Sequence, residues 1–407
     1  MIAPGTSRWW LLFGLWLIYG CFGLIVSSLA PLVVPIETDL AMSHAAMGSI
    51  MGAWQLVYIF AAIPSGMLLD RLGGRHALLI GGLLIGASAL GRAFADDYWG
   101  FLLAVMLFGL GGPIISSGAP KVVTQLFTGS QRGLAMGIYM TGPAIGGVVS
   151  LTLTNAVLMP AFDMQWRSVM LLWAACAALA ALIWWVLAAV FGMGRAQANV
   201  GTPQVSQRQI MAELLREPAV RVVLLMSVGV FLFNHGLNNW LPELLRLTGK
   251  TPAQAGYWAA LPTVVGIFGS LLIPRLATPE RRFYILIGLA AAALLASVLL
   301  QITDTISLTA GLFLQGVARS SLMTILILTL VELPGIGDQR AGIASGMFFA
   351  AAEVGGVLGP LGIGALYDST GGFGVALNSL GVVALAMIAG GVYLAHLANR
   401  GRRIEQD

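Results

Sequence analysis

Charge is scarce in this sequence. Only 9% of its 407 residues are Asp, Glu, Lys or Arg, against roughly 25% in a soluble domain. A chain so poor in charge cannot cover a water-facing surface of normal extent, which excludes an ordinary soluble globular protein. Cysteine is nearly absent too. Cys21 and Cys176 both lie in apolar runs, which argues against a disulfide framework or a cysteine-bound metal. No glycine–lysine phosphate loop occurs, so ATP is not expected to drive this protein directly. Neither a His-Glu-x-x-His motif nor a serine–histidine pair appears at membrane depth, so an enzyme is not expected. The net charge of +4 is spread along short loops, and nucleic-acid binding is not expected from it.

What the chain has instead is apolar length. Hydrophobic residues make up 58% of it, with 52 glycines and 17 methionines that suit close helix packing in lipid. A helical crossing takes roughly 20 apolar residues. Runs of that kind cover 9–35, 46–69, 77–95, 98–127, 134–160, 167–193, 219–247, 252–274, 283–303, 305–331, 341–367 and 373–397. Strand alternation is absent, and backbone in lipid must satisfy its own hydrogen bonds. The reading is an all-α integral membrane protein with twelve transmembrane helices, here called spans 1 to 12. The first run is too long for a signal-peptide core and is read as a retained span.

Charge orients the spans. With both termini in the cytoplasm, the loops on that side hold Arg8, Arg71, Arg75, Arg132, Arg195, Arg208, Arg216, Arg221, Arg275, Arg281, Arg282, Arg340, Arg400, Arg402 and Arg403. The opposite loops hold Glu37, Asp39, Asp96, Asp97, Asp163, Glu243, Asp304 and Asp368. This is a positive-inside pattern. The polar stretch 194–218 divides the chain into 1–193 and 219–407, six spans each, and reads as a cytoplasmic linker with a short surface helix at Gln207–Arg216. An internal repeat supports the division. Gly129-Ser-Gln-Arg132, Ala135, Gly137 and Gly146-Gly147-Val148 recur as Gly337-Asp-Gln-Arg340, Ala344, Gly346 and Gly355-Gly356-Val357.

Between spans 2 and 3 stands Gly66-Met-Leu-Leu-Asp70-Arg71-Leu-Gly73-Gly74-Arg75-His76. It is a charged turn whose glycines are expected to permit close backbone approach. A worn copy without the aspartate, Gly269–Arg275, lies between spans 8 and 9. Over essentially its whole length the sequence resembles the major facilitator superfamily. Gly66, Asp70, Arg71, Gly73 and Arg75 fall on that family's first motif. Gly142, Pro143, Gly146 and Gly147 in span 5 resemble the glycine–proline motif of its proton antiporters, with Ile138 where that motif has a further glycine. Val105 stands where the family carries a span 4 arginine. Spans 4 and 5, and the layout of spans 7 and 8, are similar to those of cyanate and nitroimidazole permeases. The resemblance implies two pseudo-symmetric six-helix bundles and alternating access. It makes Asp70, Arg71 and Arg75 a cytoplasmic latch that does not touch cargo.

Polar residues deep in the spans are the candidates for binding. Arg319 in span 10 and Glu353 in span 11 each lie some 13 to 15 residues from a membrane edge, or roughly 20 Å at 1.5 Å per residue. A lone charge there costs at least ~2.5–3.5 kcal/mol, so the two are expected to pair. The pair is either a fixed salt bridge or a transport device in which Arg319 takes an anion and Glu353 a proton. Span 7 carries Asn234, His235, Asn238 and Asn239, with Asn234/Asn238 and His235/Asn239 sharing faces. This is either a wall facing cargo or helix–helix hydrogen bonding, and Gly236 and Pro242 are expected to unwind the helix locally. Gln55 and Tyr58 in span 2, Tyr139 in span 5 and Gln315 one turn before Arg319 are further candidates, with Tyr19 in span 1 a weaker one. Lys121 either snorkels to the interface or faces the cavity. Arg92 is expected to pair with Asp96.

Together these residues predict a secondary active transporter, coupled to protons, for a small organic and anionic solute. The alternative is a multidrug–proton antiporter that exports lipophilic compounds. The expected partners are that solute, H+ and the lipid bilayer, with no nucleic acid, cofactor or metal. The expected setting is a bacterial inner membrane, with the chain a monomer.

Overall fold

The computed structural model describes residues 7–192, 207–333 and 336–404; residues 194–206 of the expected linker lie outside them. The long helices of the first half are α1 (Ser7–Ser27), α2 (His44–Ala93), α3 (Tyr98–Leu126), α4 (Gly129–Leu153) and α5 (Trp166–Val190). A short helix, α6 (Gln207–Leu214), precedes α7 (Pro218–Leu247), α8 (Pro252–Leu276), α9 (Arg282–Leu299), α10 (Thr305–Val331), α11 (Gly337–Thr370) and α12 (Gly374–Ile404). Among the described residues, eleven helical stretches are long and apolar enough to cross a membrane.

One of them must be counted twice. The 50 residues of α2 would run ~75 Å at 1.5 Å per residue, more than twice a hydrocarbon core of about 30 Å. Its break falls at Gly73, where φ is 73° and ψ is 165°, a conformation open essentially to glycine alone. The twelve expected spans are therefore present. Gly66 departs from expectation: no atom lies within 4 Å of where its Cβ would stand. The charged turn needs glycine at 73 for backbone conformation, and the close approach expected at Gly66 is not made. Span 1 is also broken. Its helix stops at Ser27 and resumes through a short turn, Ala30–Leu32, into Val33–Asp39.

The chain divides into two compact units, one of Met1–Val200 with Leu241–Ala260 and one of Gly201–Trp240 with Leu261–Asp407. In the first, a Cβ at Gly256 would collide with the Leu151 carbonyl oxygen, so α8 begins hard against the end of α4. In the second, α6 buries Leu214 and joins α11 through Glu213 and Arg340, 3.0 Å apart.

The sequence repeat has a physical counterpart in each unit. A Cβ at Gly146 of α4 would fall on the carbonyl oxygen of Gly20 and lie 2.8 Å from the amide nitrogen of Leu24 in α1. A Cβ at Gly355 of α11 would fall on the carbonyl oxygen of Val228 and lie 2.8 Å from the amide nitrogen of Leu232 in α7. The same holds one layer across. A Cβ at Gly109 of α3 would lie 2.4 Å from the Trp54 carbonyl oxygen and 2.6 Å from Val57 Cβ, and one at Gly316 of α10 would lie 2.6 Å from the Pro262 carbonyl oxygen and 2.9 Å from Val265 Cβ. Ala135 and Ala344 are both buried, while Gly137 and Gly346 both face open space. The glycines of the repeat thus include contact glycines and idle ones, matched between the units.

Several acids assigned to the outer loops have local work. Asp97 caps α3 by accepting from Gly100 N at 2.7 Å. Asp304 caps α10 by accepting from Ile306 N and Ser307 N, each at 3.0 Å. The Ser307 backbone N–H, first among these bonds, holds the Asp304 carboxyl below the usual carboxylate range. Asp39 and Asp96 both pair with Arg167 of α5. The expected Arg92–Asp96 pair is therefore not formed. Arg92 is buried and donates to Ile25 O at 3.2 Å and Ser28 Oγ at 3.4 Å, at the break that ends α1. The negative end of a helix is a natural seat for a guanidinium.

Candidate functional site

A polar cluster of the second unit forms where α7, α8 and α10 meet. Arg319 of α10 is half-buried, and its Nη1 donates to Asn238 Oδ1 and to Thr263 Oγ1, both at 3.0 Å. One turn earlier on α7, Asn234 Nδ2 donates to the backbone carbonyl of Arg319 at 3.1 Å. Two asparagines spaced i, i+4 on one helix face thus hold both the backbone and the side chain of one arginine. Among the described residues Arg319 meets no carboxylate within ion-pair distance.

The expected Arg319–Glu353 pair is absent from this conformation. Glu353 is buried on α11, and its Oε2 has no hydrogen-bond partner among the described residues. The side of α11 that carries it turns toward α7: Phe349, one turn earlier, has its ring 6.5 Å from that of Phe231. Phe231 in turn lies 5.3 Å from the His235 ring. Gln315, one turn before Arg319, is fully buried with neither amide atom partnered among the described residues.

Of the rest of the span 7 group, His235 lies within reach of the Arg319 charge, while Asn239 is turned along its own helix. Asn239 donates to His235 O at 2.8 Å within its own helix. The expected unwinding at Gly236 and Pro242 does not occur, since α7 is helical from Pro218 to Leu247. Gly236 serves packing: a Cβ there would come within 2.9 Å of Ile363 Cδ1 and 3.2 Å of the Gly359 backbone. Thr263 was not a candidate from the sequence. Threonine is unremarked in an apolar helix, and only the fold turns this one toward an arginine 56 residues on.

The first unit holds the remaining candidates in an aromatic cluster. Tyr19 and Tyr139 stack with centroids 5.7 Å apart. Phe22, Trp54 and Phe108 lie edge-on or tilted to one another, and Tyr58 OH bonds Ser116 Oγ at 2.7 Å. Gln55 is fully buried beside Trp54. Gly142, Pro143, Gly146 and Gly147 form a packing seam on α1, where Gly23 lies directly against Pro143.

Lys121 belongs elsewhere. Its ammonium pairs with Asp70 at the end of α2's first arm. The acid of the charged turn is largely exposed and answers a lysine on α3. Arg75 lies 4.9 Å over the Trp185 ring, and its carbonyl accepts from Trp184 Nε1 at 3.1 Å. In the second unit Arg282 of α9 pairs with Glu332 at the end of α10. Among the described residues no group of three His, Cys, Asp or Glu is placed to hold a metal ion.

A family model described as Major Facilitator Superfamily matches residues 15–360. The chain is 26% identical over 387 residues to a quinolone resistance transporter of Acinetobacter baumannii, covering 85% of this chain and 84% of the relative. It is 24% identical over 366 residues to a nitrite extrusion protein of Bacillus subtilis (strain 168), covering 88% and 87%. The crystal structure of a nucleoside transporter, NupG, matches with a TM-score of 0.76 at 15% identity, over 96% of this chain and 98% of that one. At that identity the likeness is one of fold.

Proposed function

This chain belongs to the Major Facilitator Superfamily, and on that premise we propose that its cargo is a small organic anion held at Arg319 and coupled to a proton on Glu353. The protein is a multi-pass membrane protein and a secondary transporter. Alternating access is the working cycle of its family, and the bundles 1–193 and 219–407, joined through 194–218, are its two moving bodies in this reading.

The observation that carries the proposal is the state of Arg319. A guanidinium in the middle of a span has no acid to neutralise it among the described residues, and it is held in place by Asn238 and Thr263. A charge kept in lipid at a cost, oriented and unneutralised, is prepared for an anion. Glu353 complements it. Among the described residues no donor meets its Oε2, and in this reading that carboxyl takes up and releases the proton with the cycle. The positive-inside loops support cytoplasmic termini, and the relatives support a bacterial cell membrane. The chain works as a monomer in this reading.

Uptake into proteoliposomes tests it. Arg319→Gln is expected to abolish anion uptake, and Glu353→Gln to leave binding while removing the response to a pH gradient. Full pH-driven uptake by Glu353→Gln would falsify the coupling role. A second reading, export of lipophilic drugs, is favoured by the aromatic cluster of Tyr19, Phe22, Trp54, Tyr58, Phe108 and Tyr139. It predicts drug resistance that survives Arg319→Gln.

A further inference from the structure

Building on the reading of Arg319 as the anion contact, we infer that the cargo also carries O–H or N–H donors, as a hydroxylated or amide-bearing carboxylate does. Asn234 and Gln315 are the residues that select it.

Asn234 Nδ2 donates to the Arg319 carbonyl at 3.1 Å. A carbonyl only accepts, so the amide group must be turned this way, and the open atom of Asn234 is its acceptor, Oδ1. That atom is buried and has no partner among the described residues. Gln315 stands four residues before Arg319, on the same stripe of α10. It is 0% exposed, and neither its Nε2 nor its Oε1 has a partner among the described residues. Buried polar atoms are paired in the great majority of native structures, and each exception calls for a reason.

These open atoms describe a ligand. Arg319 calls for an anionic group. Asn234 Oδ1 and Gln315 Oε1 call for donors, and Gln315 Nε2 for an acceptor. Bare inorganic anions such as nitrite and simple carboxylates such as propionate bring acceptors only. Lipophilic cations bring no anionic group. A carboxylate with a hydroxyl or amide brings all three. Sites built to bond a hydroxyl discriminate strongly against the analogue lacking it, because their own polar groups are then left unpaired. Gln315 is closed over here, so it engages in the conformation that opens around bound cargo.

The test uses matched pairs that differ by one hydroxyl: lactate against propionate, and malate against succinate. Binding to the full purified chain is followed by its tryptophan fluorescence and by thermal shift. The wild type is expected to bind one hydroxylated member at least tenfold more tightly than its partner. Asn234→Leu and Gln315→Met are expected to bring that ratio below about threefold by weakening the hydroxylated member more than its partner. Equal binding of both members by the wild type overturns the inference. So does binding by neither hydroxylated acid, or a loss in the variants that is equal for both members. Arg319→Gln is read separately. If it keeps the hydroxyl preference at unchanged affinity, the anion reading fails while the donor requirement stands. If it weakens both members together, the anion reading holds.

Discussion

Arg319 and Asn238 face one another from α10 and α7, the guanidinium donating to Oδ1 across 3.0 Å. An amide oxygen orients the arginine without neutralising it, which a carboxylate at the same place would not do. Hydrogen bonds to charged groups are worth about 1.5–3 kcal/mol, or roughly 10- to 100-fold in affinity. Asn238→Asp is expected to cut anion uptake by about 100-fold, because the new carboxylate competes with the cargo. Asn238→Ala is expected to cost about tenfold, through lost orientation alone. Tracer uptake in proteoliposomes ranks the two. Equal activity of Asn238→Asp and wild type would show that Arg319 does not meet an anion.

The Lys121–Asp70 pair joins α3 to the charged turn at the surface. Exposed ion pairs contribute only ~0–1 kcal/mol to stability, so the pair is not expected to hold the fold. Asp70→Asn and Lys121→Gln should each slow turnover several-fold while leaving the melting temperature and cargo Kd unchanged. The charge-exchanged double variant should recover part of the rate. A Kd that rises in step with the loss of turnover would contradict a gating role.

Gly355 and Gly346 belong to the same repeat but differ in what surrounds them. A Cβ at Gly355 would collide with the Val228 carbonyl, whereas Gly346 has nothing within 4 Å. Gly355→Ala is expected to destabilise by about 1–3 kcal/mol through overpacking, and Gly346→Ala to be neutral. Gly146→Ala and Gly137→Ala should repeat the contrast in the first unit. Thermal melts in detergent read all four.

Gly73→Ala tests the break in α2. At φ 73° and ψ 165° a Cβ is strained by ~1–3 kcal/mol. The variant is expected to melt earlier and to become more sensitive to protease at the turn. Gly66→Ala, with open space around it, is the matched control and should behave as wild type.

Asp304 gives a pH dependence of known sign. Its folded carboxyl is held below the usual range by the Ser307 and Ile306 amides. Its contribution is therefore present above the unfolded value of about 4 and is lost as pH falls through the folded value. Asp304→Ala should melt below wild type at pH 7, and the gap should close under acid. Asparagine caps a helix as well as aspartate does, so Asp304→Asn should keep its melting temperature while losing that pH dependence.

Most of the architecture was legible because apolar length and loop charge are one-dimensional signals. The spans, the small helix at 207 and the repeat could all be read along the chain. What escaped was pairing across helices. Arg319 and Glu353 sit at matching depth, and depth alone implied a bond; the fold turns Arg319 toward Asn238 and Thr263 instead. Arg92 and Asp96 are one turn apart, yet Arg92 points inward to the carbonyl that ends α1. Lys121 and Asp70 are 51 residues apart, and no periodicity links them. Rotation of a helix about its axis decides such contacts, and it is set by packing against neighbours.

The matched glycine contacts at 146 and 355 also bear on how this protein can be re-engineered. The helix seams are built twice, from backbone and glycine, while Arg319, Asn234, Asn238 and Glu353 belong to the second unit. If Arg319 meets the cargo as proposed, scaffold and selectivity occupy separate residues. Exchanging a handful of side chains at 234, 238, 263, 315, 319 and 353 would redirect the carrier to a different solute and leave every glycine seam as it is.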